Sequence, residues 1–168
     1  IGFLFKKKGI RIHPYINGGM QERGNRAGTE NIAAIVGMAA ALEKNISRIF
    51  DEKTKLVSME NTLIKELQEA GLDFIRNGSN NHIPGNVSLS FRGANGEMLL
   101  HRLDLRGICI STGSACDSVN MQVSHVVKAI DVPKEFAEGT IRITFGSNNT
   151  ESDAIEIAKA LIGIFESQ

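Results

Sequence analysis

The run Ser111-Thr112-Gly113-Ser114-Ala115-Cys116-Asp117-Ser118 sets one thiol among small and polar residues. Residues of that kind do not build a core. A thiolate carried on such a loop can reach a substrate and later an acceptor. The plain alternative is an incidental surface cysteine. Cys109 has a different setting: Ile108-Cys109-Ile110 reads as an apolar strand, and the expectation there is a buried, inert thiol. Arg142 lies between Ile141 and Ile143, on the polar face of an alternating strand. A guanidinium on a rigid strand can grip a carboxylate through two parallel hydrogen bonds, or it can be the ordinary charged residue of a half-solvated strand. Thr29 follows Arg26-Ala27-Gly28 and precedes a helical pattern. Its hydroxyl and the helix N-terminus suit a phosphate, and an ordinary N-cap role is compatible with that. His13, His82, His101 and His125 are scattered, with no acid or cysteine at a telling spacing, and read as structural or surface residues.

Elements must hold these groups in place. The chain opens on the apolar run Ile1 to Phe5, which predicts a buried strand, and Ile10 to Ile16 predicts a second, interrupted at Pro14. Residues 17–28 are polar, glycine-rich and aperiodic, an ordered loop. With Thr29 as N-cap, apolar residues recur at helical spacing from Ile32 to Leu67, and Gly71 stands where a helix ends. One long bent helix or two successive ones cover roughly residues 30–70. A break is expected near Asn45–Asp51, and with it a domain boundary that gives segments 1–49 and 50–168.

The remainder alternates. Strands are predicted at Leu72–Arg76, Asn86–Phe91, Ile108–Ile110 and Thr140–Phe145. Helices are predicted from the Asn95 cap to Arg106, over Met121–Ile130, and after Thr150-Glu151-Ser152-Asp153, which reads as a capping box. In that last helix Ala154, Ile155, Ala158, Leu161, Ile162 and Phe165 are expected inward. Residues 72–168 thus read as an α+β layer, a few strands covered by helices.

Composition excludes several classes. Lysine plus arginine equals aspartate plus glutamate, 19 against 19, which argues against nucleic acid or an anionic membrane as the main partner. No apolar stretch has the length of a membrane span. The two cysteines are too few for a disulfide scaffold, and their separation of seven is not a zinc-ligand spacing. Reduced thiols in a cytoplasmic protein are the simplest expectation.

Three stretches resemble the cysteine desulfurases of the NifS/IscS type, within the class V aminotransferase group. They are Gly18-Gly19-Met20-Gln21-Glu22-Arg23-Gly24-Asn25-Arg26-Ala27-Gly28-Thr29-Glu30-Asn31, the run from Leu105-Arg106-Gly107-Ile108 to Cys116, and Gly139-Thr140-Ile141-Arg142-Ile143-Thr144-Phe145-Gly146. Met20 is a departure, standing where the family usually has a small residue. The resemblance implies an α/β chain of the pyridoxal-phosphate (PLP) transferase fold type I. Residues 1–49 would be the tail of a large PLP-binding domain and its connecting helix, and 50–168 the small C-terminal α+β domain. It implies PLP-dependent removal of sulfur from L-cysteine, giving L-alanine and a persulfide on Cys116. Arg142 would bind the substrate carboxylate and Thr29 the PLP phosphate across a homodimer interface. A sulfur-acceptor protein would be the further partner, with roles such as iron–sulfur cluster assembly or tRNA or DNA thiolation. The lysine that bonds PLP would lie upstream of Ile1, and Lys6, Lys7 and Lys8 are not at its position. Two other readings stay open: a selenocysteine lyase or other class V transferase, and a non-catalytic fragment serving dimerisation or acceptor contacts.

Overall fold

The structure is a computed structural model and describes residues 1–112 and 123–167. Two compact units divide the chain, Ile1–Ile49 and Phe50–Gln168.

In the first unit the apolar opening does not form a strand. Residues 1–20 carry no regular structure, and Ile1, Phe3, Leu4 and Phe5 are exposed. An extended apolar run becomes a strand only when a neighbouring ladder accepts its backbone groups, and no described residue provides one here. Pairing is likewise missing at Ile10–Ile16. The loop that follows is ordered by local bonds. A short 3-10 turn, Gln21–Gly24, places Glu22 and Arg23 in the left-handed region. Gln21 accepts from the Gly28 N–H at 3.2 Å, and Ala27 N–H donates to the Ile16 carbonyl at 3.2 Å.

Helix α1, Ile32–Glu69, begins in this unit and ends in the next, with no interruption near Asn45–Asp51. Asn31, not Thr29, closes its first turn: the Asn31 side-chain oxygen accepts from the Ala34 N–H at 3.1 Å. Both residues are good caps by type, and the helix starts three residues after Thr29, where only Asn31 is in register.

The second unit is a four-stranded antiparallel sheet with helices on its apolar face. The strands are β1 (Phe74–Arg76), β2 (Asn86–Phe91), β3 (Ser111–Thr112) and β4 (Thr140–Thr144), in spatial order β1-β2-β4-β3. Between them lie α2 (Gly96–Asp104), α3 (His125–Ala129) and α4 (Lys134–Ala137), and α5 (Glu151–Glu166) closes the unit. Alternation sorts the sheet into two faces. Val87, Leu89, Phe91, Ile141, Ile143 and Phe145 pack into a core with Met59, Leu63 and Leu67 of α1, Leu99 and Leu103 of α2, and Ala158, Leu161 and Ile164 of α5. Of the residues expected inward on α5, Ala154, Ala158 and Leu161 are buried, while Ile155, Ile162 and Phe165 are only partly so.

Local chemistry sets the element ends. Asn95 caps α2, its side chain accepting from Met98 N–H at 3.0 Å, and Gly107 turns the chain with φ of 76°. Asp153 reaches back to the Thr150 N–H at 2.9 Å and completes the box that opens α5. That bond first, and the Asn149 side chain second, hold the Asp153 carboxyl below its ordinary value of 3.8.

Three expectations change in this unit. Pairing at the sheet edge starts at Ser111, so Ile108–Ile110 is not a strand. Ile108 and Ile110 do pack against the core, and Cys109 between them points away and is exposed. The helix expected from Met121 is described from His125, capped by Ser124, while residues 121–122 lie outside the described residues.

One buried charge ties α1 to the sheet. Glu60 is 2% exposed and accepts from the Gly85 N–H at 2.8 Å, from Arg76 at 3.2 Å, and lies 3.0 Å from His82 Nε2. His82 is therefore part of a buried polar node and does have an acid beside it, 22 residues away in sequence.

Candidate active site

Arg142 sits in the middle of β4 with its neighbours Ile141 and Ile143 buried at 0% and 2%. The period of two therefore puts the guanidinium on the opposite, exposed face. In register, Arg142 faces Ser88 of β2 on one side and Ser111 of β3 on the other. Residues paired directly across antiparallel strands share a face, with Cβ atoms roughly 4.5–5.5 Å apart. Ser88, Arg142 and Ser111 thus form one polar row across three strands. No ion pair engages Arg142 among the described residues, and a charged fork in that state suits an external carboxylate.

Cys116 lies outside the described residues. Before it in sequence, β3 pairs with β4 beside Arg142, Ser111 opposite Arg142 and Thr112 opposite Ile141. The root of the cysteine loop and the arginine are therefore parts of one ladder. Thr29 belongs to the first unit and is exposed. Beside it, Arg26 Nη1 would lie 3.1 Å from a Cβ added at Gly28, whose φ is 98°. An exposed hydroxyl and a nearby guanidinium suit an anionic phosphate.

Behind the row runs a set of hydrogen bonds between side chains that the sequence did not single out. Asn77 Nδ2 donates to Ser88 Oγ at 3.1 Å and to Ser90 Oγ at 2.8 Å. Ser90 Oγ lies 2.7 Å from Thr140 Oγ1, and Thr140 Oγ1 donates to the Ala137 carbonyl at 2.8 Å. Ser90 and Thr140 are buried at 0% and 5%. The alternation Val87-Ser88-Leu89-Ser90-Phe91 marked the polar positions of β2. It gave no sign that Asn77, eleven residues before Ser88 and thirteen before Ser90, joins them.

The family model described as aminotransferase class-V matches residues 12–156. The chain is 44% identical over 154 residues to the cysteine desulfurase IscS of Dictyoglomus turgidum, covering 91% of this chain and 39% of that one. With the cysteine desulfurase NifS of Azotobacter vinelandii it shares 35% identity over 159 residues, 91% of this chain and 38% of the relative. Among solved structures, a NifS-like protein superposes with a TM-score of 0.82 at 31% identity, over 96% of this chain and 41% of that one. A NifS-like protein from Rickettsia africae gives 0.81 at 28% identity, over 94% and 41%. The chain thus spans about two-fifths of the length of the curated relatives it matches.

Proposed function

We propose, since this chain belongs to the class-V aminotransferase family, that it carries the substrate-gripping and sulfur-accepting part of a PLP-dependent cysteine desulfurase. The fold is that of the NifS-like PLP enzymes of fold type I. The observation that carries the reading is the ladder that joins Arg142 to the root of the Cys116 loop. A carboxylate-gripping cation and a nucleophile acting on one small amino acid must work side by side, and the pairing sets Ser111, five residues before Cys116 in sequence, across from Arg142.

In this reading Arg142 holds the α-carboxylate of L-cysteine by its two-pronged grip and fixes the substrate's orientation. The Cys116 thiolate attacks the substrate sulfur. A sulfur–sulfur bond forms to Cys116, the substrate's carbon–sulfur bond breaks, and the carbon skeleton leaves as alanine after protonation. Attack needs the thiolate, so the loop must deliver Cys116 deprotonated. PLP, when bound, supplies the sink for the electrons released at the substrate's α-carbon. Of the residues here, Thr29 is assigned to its phosphate. No lysine of this chain is assigned to its aldehyde.

The reading also assigns residues 1–49 to the tail of a large domain and 50–168 to the small domain. It carries with it a homodimer in which Thr29 serves the partner's cofactor, a sulfur-acceptor protein, and a cytoplasmic setting in which both thiols stay reduced. The test uses the full-length enzyme containing this chain, loaded with PLP and given L-cysteine. Alanine and sulfide should form in equal amounts under reductant, and Cys116→Ser should abolish both while PLP stays bound. Near wild-type turnover by that variant would refute the assignment.

A further inference from the structure

The hydrogen-bond set behind Arg142 has a direction, and it can be read off donor by donor. Thr140 has one hydroxyl proton and gives it to the Ala137 carbonyl. Toward Ser90 it can then only accept, so the Ser90 proton points to Thr140. Ser90 in turn accepts from Asn77, whose amide nitrogen spends its second hydrogen on Ser88. Turning the Asn77 amide over would make Ser90 donate to Asn77, and Thr140 would have to give up the Ala137 carbonyl to keep its contact with Ser90. In the directed arrangement Ser88 Oγ is an acceptor toward Asn77, and its own proton has no acceptor among the described residues. That proton belongs to the residue in register with Arg142, on the same face of the sheet.

We propose that Ser88 is a second donor to the substrate carboxylate, binding beside Arg142 with its hydroxyl proton aimed outward by the chain Ala137–Thr140–Ser90–Asn77. This inference rests on the reading of Arg142 as the carboxylate-binding residue. A neutral donor next to a guanidinium gives the carboxylate a further hydrogen bond and restricts its rotation about the arginine fork. Ser90 and Thr140, two and three steps back and buried, do not touch the ligand; they and Asn77 are positioning residues that set which way Ser88 donates. The burial gradient agrees: Ser88 is half-buried at the mouth of the chain, and Ser90 is fully enclosed.

The experiment uses the PLP-loaded full-length enzyme and compares Ser88→Ala, Ser88→Thr, Asn77→Ala and Arg142→Lys, with KM for L-cysteine, kcat and Tm read for each. Expected are a KM increase of about ten-fold for Ser88→Ala, as for a lost hydrogen bond to a charged group, with kcat within about two-fold. The Ser88→Thr variant, which keeps the hydroxyl, should return KM to within about three-fold of wild type. A several-fold rise is expected for Asn77→Ala. An unchanged KM in Ser88→Ala beside a raised KM in Arg142→Lys overturns the role of Ser88 and leaves that of Arg142 standing. KM losses that follow Tm in both Ser88 variants, with no rescue by threonine, also overturn it. An unchanged KM in Arg142→Lys removes the premise, and with it both assignments.

Discussion

Removal of the Glu60 carboxylate should loosen α1 from the sheet. In Glu60→Ala the buried Gly85 N–H, now 2.8 Å from Oε1, loses its acceptor, at a cost of about 1–3 kcal/mol. Arg76 loses its partner at 3.2 Å, but its side chain is 33% exposed, so water recovers most of that loss and roughly 1 kcal/mol remains. Together these give about 3 kcal/mol, near the lower end of what breaking a buried pair costs. In a chain of this size each kcal/mol lowers Tm by roughly 2–4 °C, so the fall should be roughly 6–12 °C. Glu60→Gln keeps an oxygen for Gly85 and loses the charge, and should cost less than half as much. Thermal and urea unfolding followed by circular dichroism measure both. Should Glu60→Ala cost under about 1 kcal/mol, or no more than Glu60→Gln, the Gly85 bond is not what makes this residue matter.

Gly139→Ala should be strongly destabilising, because an added Cβ would run into the Phe91 carbonyl oxygen, a backbone atom that cannot step aside. A loss above about 3 kcal/mol is expected in urea unfolding, and a loss below about 1 kcal/mol would show that β2 and β4 can part there at little cost. The Asp153 box should show in acid. Its folded pKa lies below the ordinary 3.8, so its contribution is present above that value and is lost as pH falls through the lower folded value. Wild type should therefore lose its stability advantage over Asp153→Asn on acidification below 3.8, and an advantage that does not change with pH would contradict the assignment. The 168-residue chain by itself, mixed with PLP and L-cysteine, should form no more alanine than free PLP does. Turnover above that background would mean that the residues here suffice.

Much of the second unit was legible because its signals are local. The alternation Val87-Ser88-Leu89-Ser90-Phe91 gave β2 its bounds and its buried face, and Asn95 and Thr150 marked the starts of α2 and α5 through caps only a few residues long. What failed depends on distant partners. The run Ile1–Phe5 has strand composition, but pairing is a property of a neighbour and not of the run. At Ile108–Ile110 composition suggested that all three residues are buried. The observed packing seats the two isoleucines and turns Cys109 outward. Glu60 follows buried Met59 in α1, and nothing local marked it as a buried node, since Arg76, His82 and Gly85 lie 16 to 25 residues away. At the candidate site the residue types of Arg142 and Cys116 were readable. The register that puts Ser88 and Ser111 on either side of Arg142 was not, because it is decided by how three strands pair.

In the proposed function Cys116 takes the sulfur. The most direct test of that step is a single turnover of the PLP-loaded full-length enzyme with L-cysteine and no reductant, followed by alkylation, digestion and mass spectrometry. Expected are one added sulfur atom on the peptide carrying Cys116, none on the peptide carrying Cys109, and alanine equal to the persulfide formed. Alanine formed without sulfur on Cys116, or with the added sulfur on Cys109, would contradict the proposal.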